Sequence, residues 1–137
     1  MSVSTTEGNS VGSELFGGTA HAAVATWHVA LFTASPGSGG AGTNEVSTSG
    51  TAYARVAVTN NATNFPATSA LAGANGTAIT FPTSTAAWGT ITHVGLCAST
   101  TEGTSDVRHY GALTAPVVIG SGVTPAFAIG ALTWSLA

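Results

Sequence analysis

Glycine, proline or a Ser/Thr/Asn cluster interrupts this chain every 8–15 residues, so that no regular element has room to grow long. Between these breaks apolar and polar residues alternate with the two-residue period of a strand. Thr26–Thr33, TWHVALFT, is the clearest case: Trp27, Val29 and Leu31 face one way, His28, Ala30 and Phe32 the other. Tyr53–Thr59, YARVAVT, predicts a second strand with Ala54, Val56 and Val58 inward and Tyr53, Arg55 and Thr59 outward. Thr77–Phe81 and Thr90–Ala98 follow, linked through Pro82 and the Trp88-Gly89 turn. In the latter, Thr92, Val94 and Leu96 oppose Ile91, His93, Gly95 and Cys97. Val107–Leu113, Pro116–Ile119, Thr124–Ile129 and Leu132–Leu136 complete the set. About eight short strands with no long helix predict an all-β chain, an antiparallel β-sandwich for which a jelly-roll-like connection is one fitting topology. Phe81 and Trp88 are the expected anchors of its core, since one aromatic buries on the order of 150–250 Å².

Two stretches stand outside this pattern. Residues 1–20 are polar and glycine-rich and read as an extended N-terminal arm ahead of a sandwich domain at 21–137. Val11, Leu15 and Phe16 form its only apolar knot, with the spacing of a single helical turn capped by Ser10 or Ser13. Residues 34–50 hold five glycines and one proline and predict a long surface loop, either functional or disordered, with contact to a receptor or glycan left open. Asn61 and Asn75 are expected in turns.

Only 5% of the residues are charged, against roughly 25% in an ordinary domain, and there is no lysine. Mean hydropathy is +0.37, yet the excess comes from Ala, Val and Gly scattered through Ser/Thr-rich sequence. No run approaches the ~20 apolar residues of a membrane-spanning helix. A surface this short of mixed charge does not keep copies apart. Much of it is therefore expected to be covered, by copies of the chain or by a partner, in a homo-oligomer with a trimer favoured. A net charge of −3 without a basic stripe argues against nucleic acid as a partner. The lone Cys97 excludes an internal disulfide, and the first residues lack the pattern of a secretory signal.

The reactive side chains form no set. His93 and Cys97 lie four apart on one strand, roughly 13 Å along it, too far to share a metal ion. Glu7, Glu14, Glu45, Glu102 and Asp106 all fall in the arm or in turns. Neither a nucleophile elbow nor a phosphate loop is present. The expectation is no catalytic residue, no metal, no cofactor, and thus no enzyme. The residues singled out for a partner interface are Val11, Leu15 and Phe16 in the arm, with Arg55 and Arg108. Each arginine is expected either to meet a carboxylate or carbonyls, within the chain or across a subunit boundary, or to stay an exposed cation.

Three stretches carry a family likeness: VALFTASPGSGGAGTNEVSTSGTAYARVAVT at 29–59, AITFPTSTAAWGTITHVGLC at 78–97 and YGALTAPVVIGSG at 110–122. Together they resemble a widespread family of small tailed-phage virion proteins known as phage tail fibre proteins. The chain departs from that pattern in two places. Members begin with an amphipathic helix where this chain has its Ser/Gly arm, and they place an acidic residue where Cys97-Ala98 stands. The resemblance implies a non-enzymatic structural component of the virion, assembled in the bacterial host cytoplasm. With no repeat or heptad to build a shaft, the leading expectation is a capsid decoration (cement) protein bound to the major capsid protein and to copies of itself. A minor tail or tail-fibre-type subunit bound to tail proteins is the alternative. A second is a glycan-binding module using Tyr53, Trp88 or Tyr110 as stacking platforms.

Overall fold

A computed structural model describes residues 1–66 and 69–135. The order is β1 (Ser2–Val3), α1 (Thr5–Gly17), β2 (Thr26–Phe32), β3 (Val56–Thr59), β4 (Ala72–Ala74), β5 (Ile79–Thr80), β6 (Gly89–Cys97), β7 (Val107–Ile119), β8 (Ala126–Phe127) and β9 (Thr133–Ser135). The fold is all-β with one helix. Five strands form an antiparallel sheet in the order β1-β7-β6-β2-β3, and β4–β9 and β5–β8 make two short antiparallel ribbons. Leu136, expected at the end of the last strand, lies outside the described residues.

The alternation read in β2 is the one observed. Trp27, Val29 and Leu31 enter the main core with Val58, Ile91, Val94 and Leu96 of neighbouring strands. The cover on that face comes from Val46, Tyr53, Ile79, Phe81, Trp88 and Leu132, drawn from loops and ribbons. Ala30 and Phe32 meet Cys97 and Val107 in a smaller cluster on the other face. Gly95 sits where a Cβ would lie 2.9 Å from the Phe32 ring, so only glycine lets that ring cross β6.

Four expectations need correction. Strict alternation puts Ile91 opposite Val94 and Leu96, but it shares their core. The register explains this: Ile91 pairs with Val117 and His93 with Ala112, so two steps on β6 span five on β7, and the bulge resets the phase. Pro116 does not divide β7 into two strands, because it falls in the bulge between Ala112 and Val117, where the register with β6 skips and a proline is tolerated. Tyr53 and Arg55 are buried rather than outward; β3 begins only at Val56, and Ala52 has a φ of 57°, so the strand alternation does not reach them.

The fourth correction concerns the arm. Only its first residues are extended, as β1 paired with β7; α1 then runs for 13 residues. Its cap is Ser4, not Ser10 or Ser13. The Ser4 Oγ accepts from the Glu7 N–H at 3.4 Å, and Gly18 ends the helix in the left-handed region at a φ of 65°. The helix that the family pattern called for is therefore present.

Candidate functional site

The residues expected at a partner interface divide into two groups in the structure. Val11, Leu15 and Phe16 lie on α1, whose start is fixed firmly. The Ser4 N–H donates to the Arg108 carbonyl at 2.7 Å and the Thr5 N–H to the Ser38 carbonyl at 2.8 Å. Glu7, 5% exposed, faces His21 Nε2 at 3.1 Å and a guanidinium nitrogen of Arg108 at 3.4 Å. His21 Nδ1 also hydrogen-bonds Ser10 Oγ at 2.8 Å, tying the returning chain to the helix.

Beyond this anchorage the helix leaves the body. Exposure rises from 5% at Glu7 through 38% at Val11 and 69% at Leu15 to 92% at Phe16. Positions 7, 11 and 15 share one helical stripe, so the same face that starts docked ends bare. Two large apolar side chains stand in solvent at the helix end, a costly arrangement for a surface that stays uncovered.

A second apolar feature opens between β7 and the β5–β8 ribbon. It is a cavity of about 280 Å³ lined by Leu31, Phe81, Ile91, Leu113, Val123 and Phe127, among others. Val117 and Val123 at its margin are 49% and 41% exposed, and Val118 and Ile129 are 74% and 70% exposed. No charged residue occurs from Gly111 to Ala137.

The two arginines have internal partners. Arg55, expected as an interface candidate, has a side chain fully removed from solvent. It grips Glu45 in a two-pronged pair, with both N–H···O distances 2.8 Å, and reaches Asp106 at 3.0 and 3.1 Å and the Ser99 carbonyl at 2.9 Å. Glu45 further accepts from the Tyr53 hydroxyl and the Gly103 N–H, and Tyr53 in turn accepts from the Leu31 N–H. This cluster fastens the loop at 34–50 to the turn at 99–106, so the loop is held rather than free. Arg108, 29% exposed at its side chain, is spent on Glu7.

Burial pushes the Tyr53 phenol well above its ordinary range, and the neighbouring Glu45 charge adds to the effect. Burial works against a charged Arg55, but the hydrogen bonds of Glu45 together with the negative charge around the guanidinium prevail and raise its pKa. Cys97 is pushed up to about 12 by burial, leaving an unreactive thiol.

Burial also opposes a charged Asp106, yet hydrogen bonds from Ser99 and Thr104 and the charge of Arg55 prevail, lowering its pKa below 3.8. A carboxyl depressed in the folded state stabilises above its unfolded value and loses that contribution as pH falls through the folded one. Stability is accordingly expected to drop as pH falls below about 4, and the Asp106→Asn variant should lose much of that acid sensitivity. Denaturant midpoints between pH 2 and pH 6 check this.

Of the aromatics proposed as glycan platforms, Tyr53 and Trp88 are each 4% exposed and belong to the core, while Tyr110 is half-buried. The sequence reading missed the Ser4 cap and the Glu45–Arg55–Asp106 cluster. The first had a visible signal, Ser4-x-x-Glu7. For the second, the scarcity of charge pointed to a carboxylate or carbonyl partner for Arg55 but not to which one, since its members lie 10 and 51 residues apart.

In comparisons with known proteins, one family model, described as podophage GP4 fiber I protein gp80, matches residues 2–135. Among curated proteins no match is found.

Proposed function

The chain belongs to the podophage GP4 fiber I protein gp80 family, and from that membership we propose that it is a fibre-type subunit that assembles with copies of itself and with tail proteins. It is a phage virion structural protein. The observation that carries the finer reading is where its apolar and charged side chains lie. Leu15 and Phe16 stand bare at the end of α1, and Val117, Val118 and Ile129 on and beside β7 and β8. Both arginines are meanwhile consumed internally. Such a surface gains by burial against protein and offers no cation to phosphate. The fibre reading replaces capsid decoration as the leading one because the matching family is described as a fibre protein over nearly the whole chain, the helix included.

Purified virions labelled with antibody against the chain, with its copy number measured by mass spectrometry, test this. Label at the tail end, at a copy number matching a small multiple of the tail symmetry, is the expected result. Label spread over the head at about one copy per capsid subunit would establish the decoration role instead.

A further inference from the structure

We infer that the N-terminal segment, β1 with α1, is an acid-released latch on β7: as pH falls, the charges gathered around Glu7 and His109 detach it while the sheet behind it stays folded. The inference concerns the chain alone and does not depend on where in the virion it sits.

The segment is held by polar contacts. Among the described residues, none at 2–23 has a side chain in either apolar core cluster, and only Met1 ahead of them packs against one. What crosses to the body is the pairing of Ser2 and Val3 with Tyr110 and His109, the bonds from the Ser4 and Thr5 N–H groups, and the Glu7–Arg108 pair. Apolar burial is indifferent to protons, whereas this set is not. The other end of the segment has room to swing. Gly18 closes the helix, residues 18–20, 22 and 23 are exposed, and the chain is next fixed to the body where the Val24 and Ala25 carbonyls accept from Asn60.

Charge decides when the latch opens. Among the described residues, Glu7 is the carboxylate that faces Arg108 and His109 on β7, His21 on the returning chain and the Met1 amine. His109 sits inside this group, paired with Val3 and edge-on to the Trp27 ring at 5.4 Å. Burial holds its imidazole below the ordinary range; the Met1 amine, Arg108 and His21 push the same way, and Glu7 opposes them. A histidine depressed in the folded state contributes stability that is present above its unfolded value, about 6.5, and lost as pH falls through the folded one. Each pKa unit between latched and free His109 is about tenfold in the closed-to-open equilibrium. His21 does not offset this. Its bonds to Glu7 and Ser10 lie within the segment, so a charged His21 travels with it and, while latched, adds a cation beside Arg108 and His109. Opening therefore starts well above the acid range in which Asp106 loses its charge.

Asn9→Cys places a fluorophore on the exposed side of α1, since Cys97 is buried. Its anisotropy reads the segment, and near-ultraviolet circular dichroism reads the aromatic core. From about pH 7 to about pH 5 the anisotropy is expected to fall while the dichroism holds. His109→Gln is expected to keep its high anisotropy at the lower pH. If that variant is already loose at neutral pH, His109→Phe, which keeps a ring against Trp27, takes its place. Glu7→Gln is expected to be loose at neutral pH with its dichroism intact. A flat anisotropy in the wild-type background, an equal fall in the His109 variant, or a Glu7→Gln protein held as firmly as wild type overturns the latch. Anisotropy and dichroism lost together overturn it too, because the segment then melts with the sheet.

Discussion

Arg55→Ala is expected to destabilise the fold by about 3–5 kcal/mol, the usual result of removing one member of a buried ion pair. The reason lies in what the substitution leaves behind. Glu45, 2% exposed at its side chain, loses both guanidinium bonds and keeps a negative charge within the protein. Asp106 loses its cation as well, though Ser99 and Thr104 still donate to it. The same change frees the loop at 34–50 from the turn at 99–106, so the loss is expected to bring faster amide exchange in both segments. Arg55→Lys should recover only part of it, because an ammonium cannot make the paired bonds to Glu45 and still reach Asp106 and the Ser99 carbonyl. Equilibrium urea unfolding decides the matter. A loss below about 1 kcal/mol would match an exposed pair and contradict the burial described here.

That cluster also marks how far the chain could be read in advance. β2 was legible because every residue from Trp27 to Phe32 is buried and its two faces feed two separate clusters, so the period of two survives intact. Arg55 was misread for the opposite reason: a charged residue in an alternating run is assigned outward unless its carboxylates are known. Here they come from a glycine-rich loop and a distant turn, which no local pattern links. The helix was hidden differently. Gly8 and Gly12 with Ser10 and Ser13 lower its intrinsic propensity, and the signal that outweighs them is local, a Ser4–Glu7 cap with Gly18 behind it. What stabilises α1 beyond its cap is again non-local, namely Arg108 and His21 meeting Glu7. The interface candidates follow the same division. The apolar knot at Val11, Leu15 and Phe16 was visible from composition, while the cavity exists only once β7 bulges against β6 and β5 meets β8.

Trp88→Ala is expected to cost about 3–5 kcal/mol, as for other large aromatics emptied from a core. Trp88 is 4% exposed and stands edge-on to Tyr53 at 5.2 Å and to Phe81 at 6.3 Å between ring centres. Its indole N–H donates to the Thr51 carbonyl at 2.9 Å, and its own backbone N–H to the Ile119 carbonyl at 2.8 Å. One side chain therefore joins the segment before β3 to the start of β6, and removing it leaves a void between elements that share no strand pairing. Trp88→Phe separates the contributions. It keeps most of the apolar volume and deletes the indole bond, but the Thr51 carbonyl still accepts from the Thr85 N–H at 3.1 Å. With that acceptor still partnered, the loss should be nearer 1 kcal/mol. The two variants thus rank packing against hydrogen bonding at the residue on which the cover over the sheet is hung. A Trp88→Ala protein within about 1 kcal/mol of wild type would place Trp88 outside the core.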